Sequence, residues 1–302
     1  MAESTISRAL AIPKRQRKPI LARLDPYLFM LPYLLLFVGF LLLPAVAGVA
    51  VSLSRWDIVG EPTFAGLSNY QFIVAEPRFQ AGLLHTIYYT ILSVVPFVVL
   101  ALALALFLNQ PYRIMGLVRT AIFAPFVAMV SVVAIIWKYL YDANWGVINY
   151  YLQAIGLPKV DWLADPGWAM PSIAIASVWW LIGANTVIYL AGLQDIPDDY
   201  YEAARIDGAN SWQLLRHITM PLLINVHAFI IPITIIGTFR VFGQVYVMTE
   251  GGPRGATRVL LQYIYEVGFR EFYMGRAAAA AVVLLLITLV LTLIQLRAMR
   301  QI

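Results

Sequence analysis

Four carboxylates lie close together in one stretch of the chain and are the first residues to consider for chemistry. They are Asp198, Asp199, Glu202 and Asp207. Clustered carboxylates can act as general acid and base, or they can hold a metal ion. Their order also fits a simpler role, because Pro197 followed by two acidic residues is a typical helix start in which the acids complement the helix dipole. The acidic residues of this stretch are therefore better explained by a helix start than by a catalytic centre.

The residues that follow predict a turn and a second short helix. Asp207-Gly208 should end the first helix, because Gly adopts the left-handed conformation without steric cost. Asn210 or Ser211 then caps a second helix, and Pro221 closes it at the start of the next apolar segment. The sequence thus predicts a helix, a sharp turn and a helix.

Residue types that often carry chemistry are otherwise scarce. The chain has no Cys, which excludes disulfides, thiolate metal sites and Cys nucleophiles. Its 3 His residues are scattered without HExxH spacing, and the loop GGPRGATR lacks the Lys-Ser/Thr pair of a phosphate-binding P-loop. We therefore expect no metal and no cofactor in this chain, and we expect any ATP hydrolysis to belong to another polypeptide.

Long apolar segments must position these residues. The chain is 61% hydrophobic and only 12% charged, whereas ordinary soluble domains are about 25% charged. Runs without charged residues cover 26–54, 79–112, 120–137, 166–194, 217–239 and 277–296. Because about 20 apolar residues cross a bilayer core, the sequence predicts an all-α integral membrane fold of about six transmembrane helices.

The basic residues indicate an orientation for these predicted spans. Residues 1–25 form a polar tail rich in Arg and Lys, and the apolar run that follows is too long for a signal peptide. The positive-inside rule places this tail in the cytoplasm. Six spans then put both termini and the segment 195–219 inside, and 55–78, 138–165 and 250–276 outside. The net charge of +5 is explained by topology, and nucleic acid is not an expected partner.

The helix-turn-helix carries a recognisable motif. The residues Glu202-Ala203-Ala204, Gly208, Ile218 and Met220-Pro221 match the pattern E-A-A, three residues, G, then I-x-[LM]-P. The chain thereby resembles binding-protein-dependent ABC permeases, in which this EAA loop forms a cytoplasmic coupling helix that docks in a groove of the ATPase subunit. The resemblance implies a coupling segment over 195–221, with Glu202, Ala203, Ala204, Asp207 and Gly208 contacting the ATPase. An amphipathic helix on the membrane surface is the alternative.

Further stretches narrow the resemblance to the carbohydrate-uptake group. YLAGLQDIP (189–197), YVMTEGGPRGAT (246–257) and YIYEVGFREFYMGRAAA (263–279) look like a maltose-type or glycerol-phosphate-type first permease. The resemblance implies a type I ABC importer permease domain over 26–302, in the cell membrane of a prokaryote. It also implies as partners a second homologous permease, an ATPase dimer on the cytoplasmic side, an extracytoplasmic solute-binding protein and a sugar-like substrate. Membrane lipid is a further expected partner.

In maltose-type relatives the sugar contacts lie on the helices that correspond to predicted spans four and five. The resemblance therefore implies substrate-binding roles for Gly183, Asn185, Phe239, Arg240, Phe242 and Gln244. Arg240 also stands out without the resemblance, because a charge within the membrane costs several kcal/mol and persists mainly where it lines water or finds a partner.

Two other kinds of membrane protein are alternatives. A membrane-embedded transferase acting on a lipid or sugar would need clustered carboxylates or histidines at the membrane surface. A secondary transporter would usually show membrane-buried acidic residues and internal repeats. The predicted spans contain no acidic residue.

Overall fold

A computed structural model describes residues 20–58 and 60–299, and they are mostly helical. The chain divides into two compact units, 1–50 and 51–302. In the first unit, α1 (Ile20–Phe37) leads through a π-helical turn (Val38–Leu42) into α2 (Leu43–Ser52). Most of the predicted basic tail over 1–25 lies outside the described residues.

The second unit begins with a two-stranded antiparallel ribbon and continues as helices. The ribbon pairs β1 (Ser54–Arg55) with β2 (Thr63–Phe64). The helices up to the coupling segment are α3 (Ser68–Ala75), α4 (Pro77–Leu108), α5 (Met115–Val127), α6 (Val130–Leu140), α7 (Val147–Ala154) and α8 (Pro166–Gln194). Those that follow are α9 (Asp198–Ile206), α10 (Ser211–Leu214), α11 (Met220–Leu222), α12 (Ile224–Phe239), α13 (Gly243–Thr249), α14 (Leu260–Tyr265) and α15 (Met274–Met299). Two further π-helical turns cover Leu215–Thr219 and Glu266–Arg270.

Four helical stretches of the described chain are long and apolar enough to cross a membrane unbroken. They are Phe29–Ser52, Pro77–Leu108, Pro166–Gln194 and Met274–Arg297. The third and fifth predicted spans are instead bent pairs, α5 with α6 at 101° and Ser211–Leu222 with α12 at 69°. Six spans result when each bent pair counts as one.

The bends have local causes in the sequence. Pro125 lies in the last turn of α5, and Ala128 and Met129 after it are extended rather than helical. The second bend follows Pro221, at the non-helical Leu223. A proline removes a backbone donor and its ring clashes with the preceding turn, which bends or ends a helix nearby. The apolar runs predicted the two spans, and each bend follows a proline that lies within its span or at its start.

The long helices α4 and α8 pack along each other in the second unit, and α5 and α12 pack against them. One buried cluster joins α4, α5, α8 and α12 through Ala101, Met115, Tyr189, Leu193 and Ile230. This packing places the middle of α8 beside the middle of α12, where the polar side chains described below lie.

Candidate functional site

A cavity of about 380 Å³ lies where α4, α8, α12 and α13 meet. Its polar lining comes from Asn185, Thr234, Thr238, Arg240 and Gln244. Its aromatic lining comes from Tyr89, Phe97, Phe126, Trp180 and Phe242. We call it the polar cavity. Aromatic faces beside hydrogen-bonding groups are suited to a ligand that has both hydroxyl groups and an apolar ring face.

Asn185 connects α8 and α12, two of the helices that line the polar cavity. Its Nδ2 donates to Thr234 Oγ1 at 3.2 Å, and Thr234 Oγ1 in turn donates to the Ile230 carbonyl at 2.7 Å. The side-chain oxygen of Asn185, Oδ1, accepts no hydrogen bond from the described residues. A ligand donor can therefore reach this oxygen without breaking the link between α8 and α12.

A break in the helix presents Arg240 to the polar cavity. α12 ends at Phe239, the residues Arg240 and Phe242 depart from helical geometry, and α13 begins at Gly243. The Arg240 side chain is exposed, and none of the ion pairs among the described residues includes it. Its guanidinium is thus available as a charged hydrogen-bond donor at the cavity wall.

Four of the six residues expected to bind substrate line this cavity, namely Asn185, Arg240, Phe242 and Gln244. Gly183 does not line it, because this glycine faces α5, where an added Cβ would lie 2.5 Å from the Ile122 carbonyl oxygen. Phe239 is also directed elsewhere, into a buried cluster with Leu260 and Tyr263. Side chains two positions apart on a helix point about 200° away from each other, which puts Gly183 and Asn185 on different faces.

Sequence reasoning missed several of the lining residues. The missed residues are Leu181 and Ala184 on α8 and Thr234, Gly237 and Thr238 on α12. The positions 181, 184 and 185, like 234, 237 and 238, follow the spacing of one helix face. That periodicity, applied outward from Asn185 and Arg240, is the signal that could have found them.

The coupling segment folds as the sequence predicts. α9 ends at Ile206, and Gly208 follows in the left-handed conformation with φ +83°. Asn210 caps α10 in a capping box, since its side chain accepts from the Gln213 amide at 2.9 Å and the Gln213 side chain accepts from the Asn210 amide at 2.8 Å. The predicted helix, turn and helix are confirmed, and Asn210 rather than Ser211 is the cap.

The surface of the coupling segment combines polar residues with large exposed apolar ones. Glu202, Ala203, Asp207 and Gly208 are exposed, and Ala204 is half-buried. Tyr200, Ile206 and Trp212 are exposed as well, Ile206 to 86%. Exposed large apolar side chains on a polar segment fit a surface that either another protein or the membrane interface covers.

The four carboxylates of this segment do not converge. No group of three or more His, Cys, Asp or Glu residues that could hold a metal ion occurs in the part of the chain that the structure describes. The carboxylates instead lie in the first turn of α9, on its exposed face and at its end.

Known proteins are similar in sequence to most of this chain. Residues 72–300 match the family described as binding-protein-dependent transport system inner membrane component. A probable ABC transporter permease protein of Bacillus subtilis is 36% identical over 280 residues, covering 91% of this chain and 96% of the relative. An arabinooligosaccharides transport system permease protein of Bacillus subtilis is 34% identical over 275 residues, covering 90% of this chain and 87% of the relative.

The fold also has a close counterpart among solved structures. A crystal structure of a bacterial ABC transporter involved in the import of the acidic polysaccharide alginate superposes with a TM-score of 0.82 at 25% identity, covering 94% of this chain and 97% of that chain. The fold is accordingly that of a type I ABC importer permease. The chain belongs to the family of binding-protein-dependent transport system inner membrane components.

Proposed function

We propose that this chain is the permease subunit of an ATP-driven importer of a sugar or sugar-like solute. The observation that carries the proposal is that one helix joins the two functional regions. α12 begins at Ile224, just after the coupling segment, and ends at Phe239, next to Arg240, which lines the polar cavity. Its 16 residues span about 24 Å at 1.5 Å per residue. We infer that a movement of the coupling segment is passed along α12 to the wall of the polar cavity.

The lining of the polar cavity supports a sugar-like solute. Asn185, Arg240 and Gln244 offer hydrogen bonds to hydroxyl groups, and Trp180 and Phe242 offer ring faces. The relatives point the same way, since one named relative belongs to an arabinooligosaccharide transport system and the structural counterpart to an alginate importer.

The proposal assigns the remaining tasks to other subunits. A second, homologous permease completes the pathway, an ATPase dimer docks on Glu202, Ala203, Ala204, Asp207 and Gly208, and an external binding protein delivers the solute. The chain needs no cofactor of its own for this role, and ATP hydrolysis takes place in the ATPase subunits.

Reconstitution tests the proposal against the two alternatives. We expect liposomes with this chain, its second permease and the ATPase to accumulate radiolabelled oligosaccharide only when ATP is enclosed and the binding protein is outside. Uptake driven by a proton or sodium gradient without ATP would instead identify a secondary transporter. Transfer of a sugar to lipid without uptake would identify a transferase.

The proposal places the coupling segment and both termini in the cytoplasm. Because the chain has no Cys, single cysteines report the side of the membrane directly. Asp207 and Arg254 are both exposed, whereas Thr257 is buried and would label poorly on either side. In intact cells an impermeant maleimide should label Arg254→Cys and spare Asp207→Cys. The reverse pattern would refute both the orientation and the coupling role.

A further inference from the structure

Four aromatic side chains lead away from the polar cavity along α13 and α14. Phe242, which lines the polar cavity, stacks on Tyr246 with ring centres 5.2 Å apart and an angle of 23° between the rings. The Tyr265 ring contacts both, with its centre 5.3 Å from that of Phe242 and 5.5 Å from that of Tyr246. Phe269 stacks on Tyr265 at 5.8 Å. We call these four residues the aromatic row.

Helical spacing aligns the rings of the aromatic row in two pairs. Phe242 and Tyr246 are four residues apart at the start of α13. Tyr265 and Phe269 are four residues apart at the end of α14 and in the π-helical turn that follows it. At this spacing side chains lie on nearly the same face of a helix, one above the other. Because the two pairs also contact each other, the four rings form one continuous surface.

Arg270 is held on the aromatic row by ring contacts and one hydrogen bond. Its guanidinium carbon lies 5.6 Å from the centre of the Tyr246 ring and 5.9 Å from that of Tyr265. Its Nη2 donates to the Tyr246 hydroxyl oxygen at 2.9 Å. None of the ion pairs among the described side chains includes Arg270. These contacts position the guanidinium and leave most of its N–H donors available for oxygen atoms of a ligand.

The aromatic row is directed toward the side of the membrane from which an imported solute comes. α13 runs from the polar cavity to the loop after Thr249, which the proposed function places outside. The first three rings of the row are half-buried, whereas Phe269 is exposed to 63% and Arg270 is exposed as well. Accessible aromatic faces that continue from a cavity, with a few polar groups beside them, are typical of a ligand-binding surface.

We propose that the aromatic row is a second binding site for the solute, and that the solute is an oligosaccharide long enough to cover it. One end of the oligosaccharide occupies the polar cavity, and the apolar faces of its further sugar rings stack on Tyr265 and Phe269. Arg270 donates hydrogen bonds to oxygen atoms of these outer sugar units. A short solute in the polar cavity leaves the outer rings uncovered. This inference rests on the proposed function, both for the polar cavity as the solute site and for the outward direction of the row.

Saccharides of two lengths test this inference on the assembled complex in nanodiscs, without the binding protein. Titrations followed by saturation-transfer NMR give the affinity for each probe. The probes are maltose and maltopentaose, arabinobiose and arabinopentaose, and the disaccharide and pentasaccharide of alginate. Tyr265→Leu removes a ring from the row, and Tyr265→Phe keeps it. The control Tyr151→Leu removes an exposed tyrosine of α7, which lies outside the row.

We expect wild type to bind the pentasaccharide of at least one series at least five-fold more tightly than its disaccharide. Tyr265→Leu should lose most of this advantage, with less than about a two-fold change for the disaccharide, because only the longer solute covers the row. Tyr265→Phe and Tyr151→Leu should keep the advantage. Equal wild-type affinity for both lengths in every series, or an unchanged advantage in Tyr265→Leu, would overturn the inference. An equal loss for both lengths would also overturn it, because Tyr265 would then only support the packing of the polar cavity.

Two controls separate this inference from the proposed function and from misfolding. Uptake that depends on ATP and on the binding protein is measured with wild type in parallel. If wild type lacks this uptake, or binds no saccharide of any series, the proposed function fails. An active wild type whose affinity does not depend on length refutes only the role of the aromatic row. If Tyr265→Leu does not assemble, Phe269→Leu replaces it, because the Phe269 side chain is largely exposed and contributes little to packing.

Discussion

The coupling segment and the polar cavity are built in opposite ways. The coupling segment is formed by contiguous residues, and its defining hydrogen bonds link Asn210 to Gln213 across three positions. The polar cavity gathers side chains from Tyr89 to Gln244, and its main link, from Asn185 to Thr234, joins residues 49 positions apart. One region is specified by local backbone preferences, and the other exists only after the long helices have packed.

This difference changes what a substitution does in each region. In the coupling segment, a change acts on the conformation of a few neighbouring residues and leaves the packing of the spans alone. At the polar cavity, a change acts either on a ligand contact or on helix packing, depending on the helix face. The comparison therefore predicts separable defects, in coupling on one side and in solute contact or assembly on the other.

The largest expected effect comes from Gly208→Val in the coupling segment. The left-handed conformation of Gly208 costs a residue with a side chain roughly 1–2 kcal/mol, and more when it is β-branched. An added Cβ would meet no atom within 4 Å, so the change acts on the turn and not on packing. We expect uptake and ATPase association to fall at least ten-fold while membrane insertion stays normal, as measured by transport and pull-down in proteoliposomes.

Gly116→Val is the matched control for this variant. Gly116 is also exposed with nothing within 4 Å of an added Cβ, but it lies in α5 with ordinary helical geometry. It should retain most of the uptake. If both variants lose ATPase association equally, or if both keep it, the turn at Gly208 has no special role in coupling.

The same difference explains how much could be predicted from the sequence. Pro197, Gly208 and the capping residues act through their own backbone preferences, so the helix-turn-helix follows from residue types and spacing. Asn185 and Arg240 could be proposed because their polarity is costly inside a membrane. The placement of Gly183 and Phe239 depends on which helices become neighbours. Residue type alone does not show that Gly183 faces α5 or that Phe239 packs into a buried cluster. The bends at Ala128 and Leu223 are local features instead, because each follows a proline two or three positions earlier in the sequence.

Asn185→Ala and Gly183→Ala test the difference between a solute contact and helix packing on the same helix, α8. Removal of the Asn185 amide should cost about 1 kcal/mol per lost hydrogen bond, which corresponds to roughly five-fold weaker transport. Assembly and basal ATP hydrolysis should persist. Gly183→Ala should instead lower the yield of assembled complex, because its Cβ would press on the Ile122 carbonyl oxygen and overpacking costs roughly 1–3 kcal/mol.

Two solutes of different size distinguish direct contact from a general defect in these variants. Asn185→Ala should change the ratio of the two uptake rates, whereas Gly183→Ala should reduce both rates in proportion to the amount of complex. An unchanged ratio for Asn185→Ala together with poor complex yield would assign Asn185 to packing. The solute contact would then have to come from the other polar residues of the cavity.

The smallest expected effect comes from the cap of α10. Asn210→Ala removes a side-chain acceptor from the helix start, a change that typically costs about 1 kcal/mol. The reciprocal bond from Asn210's own amide to Gln213 remains possible, so the second helix should fray rather than unfold. We expect faster hydrogen exchange of the amides at 211–214 and a two- to three-fold drop in coupled ATP hydrolysis. Asn210→Asp keeps an equally good cap and should behave as wild type in both measurements. If Asn210→Ala is as severe as Gly208→Val, then the coupling segment responds as one cooperative unit, and the view that its substitutions act on a few neighbouring residues is wrong.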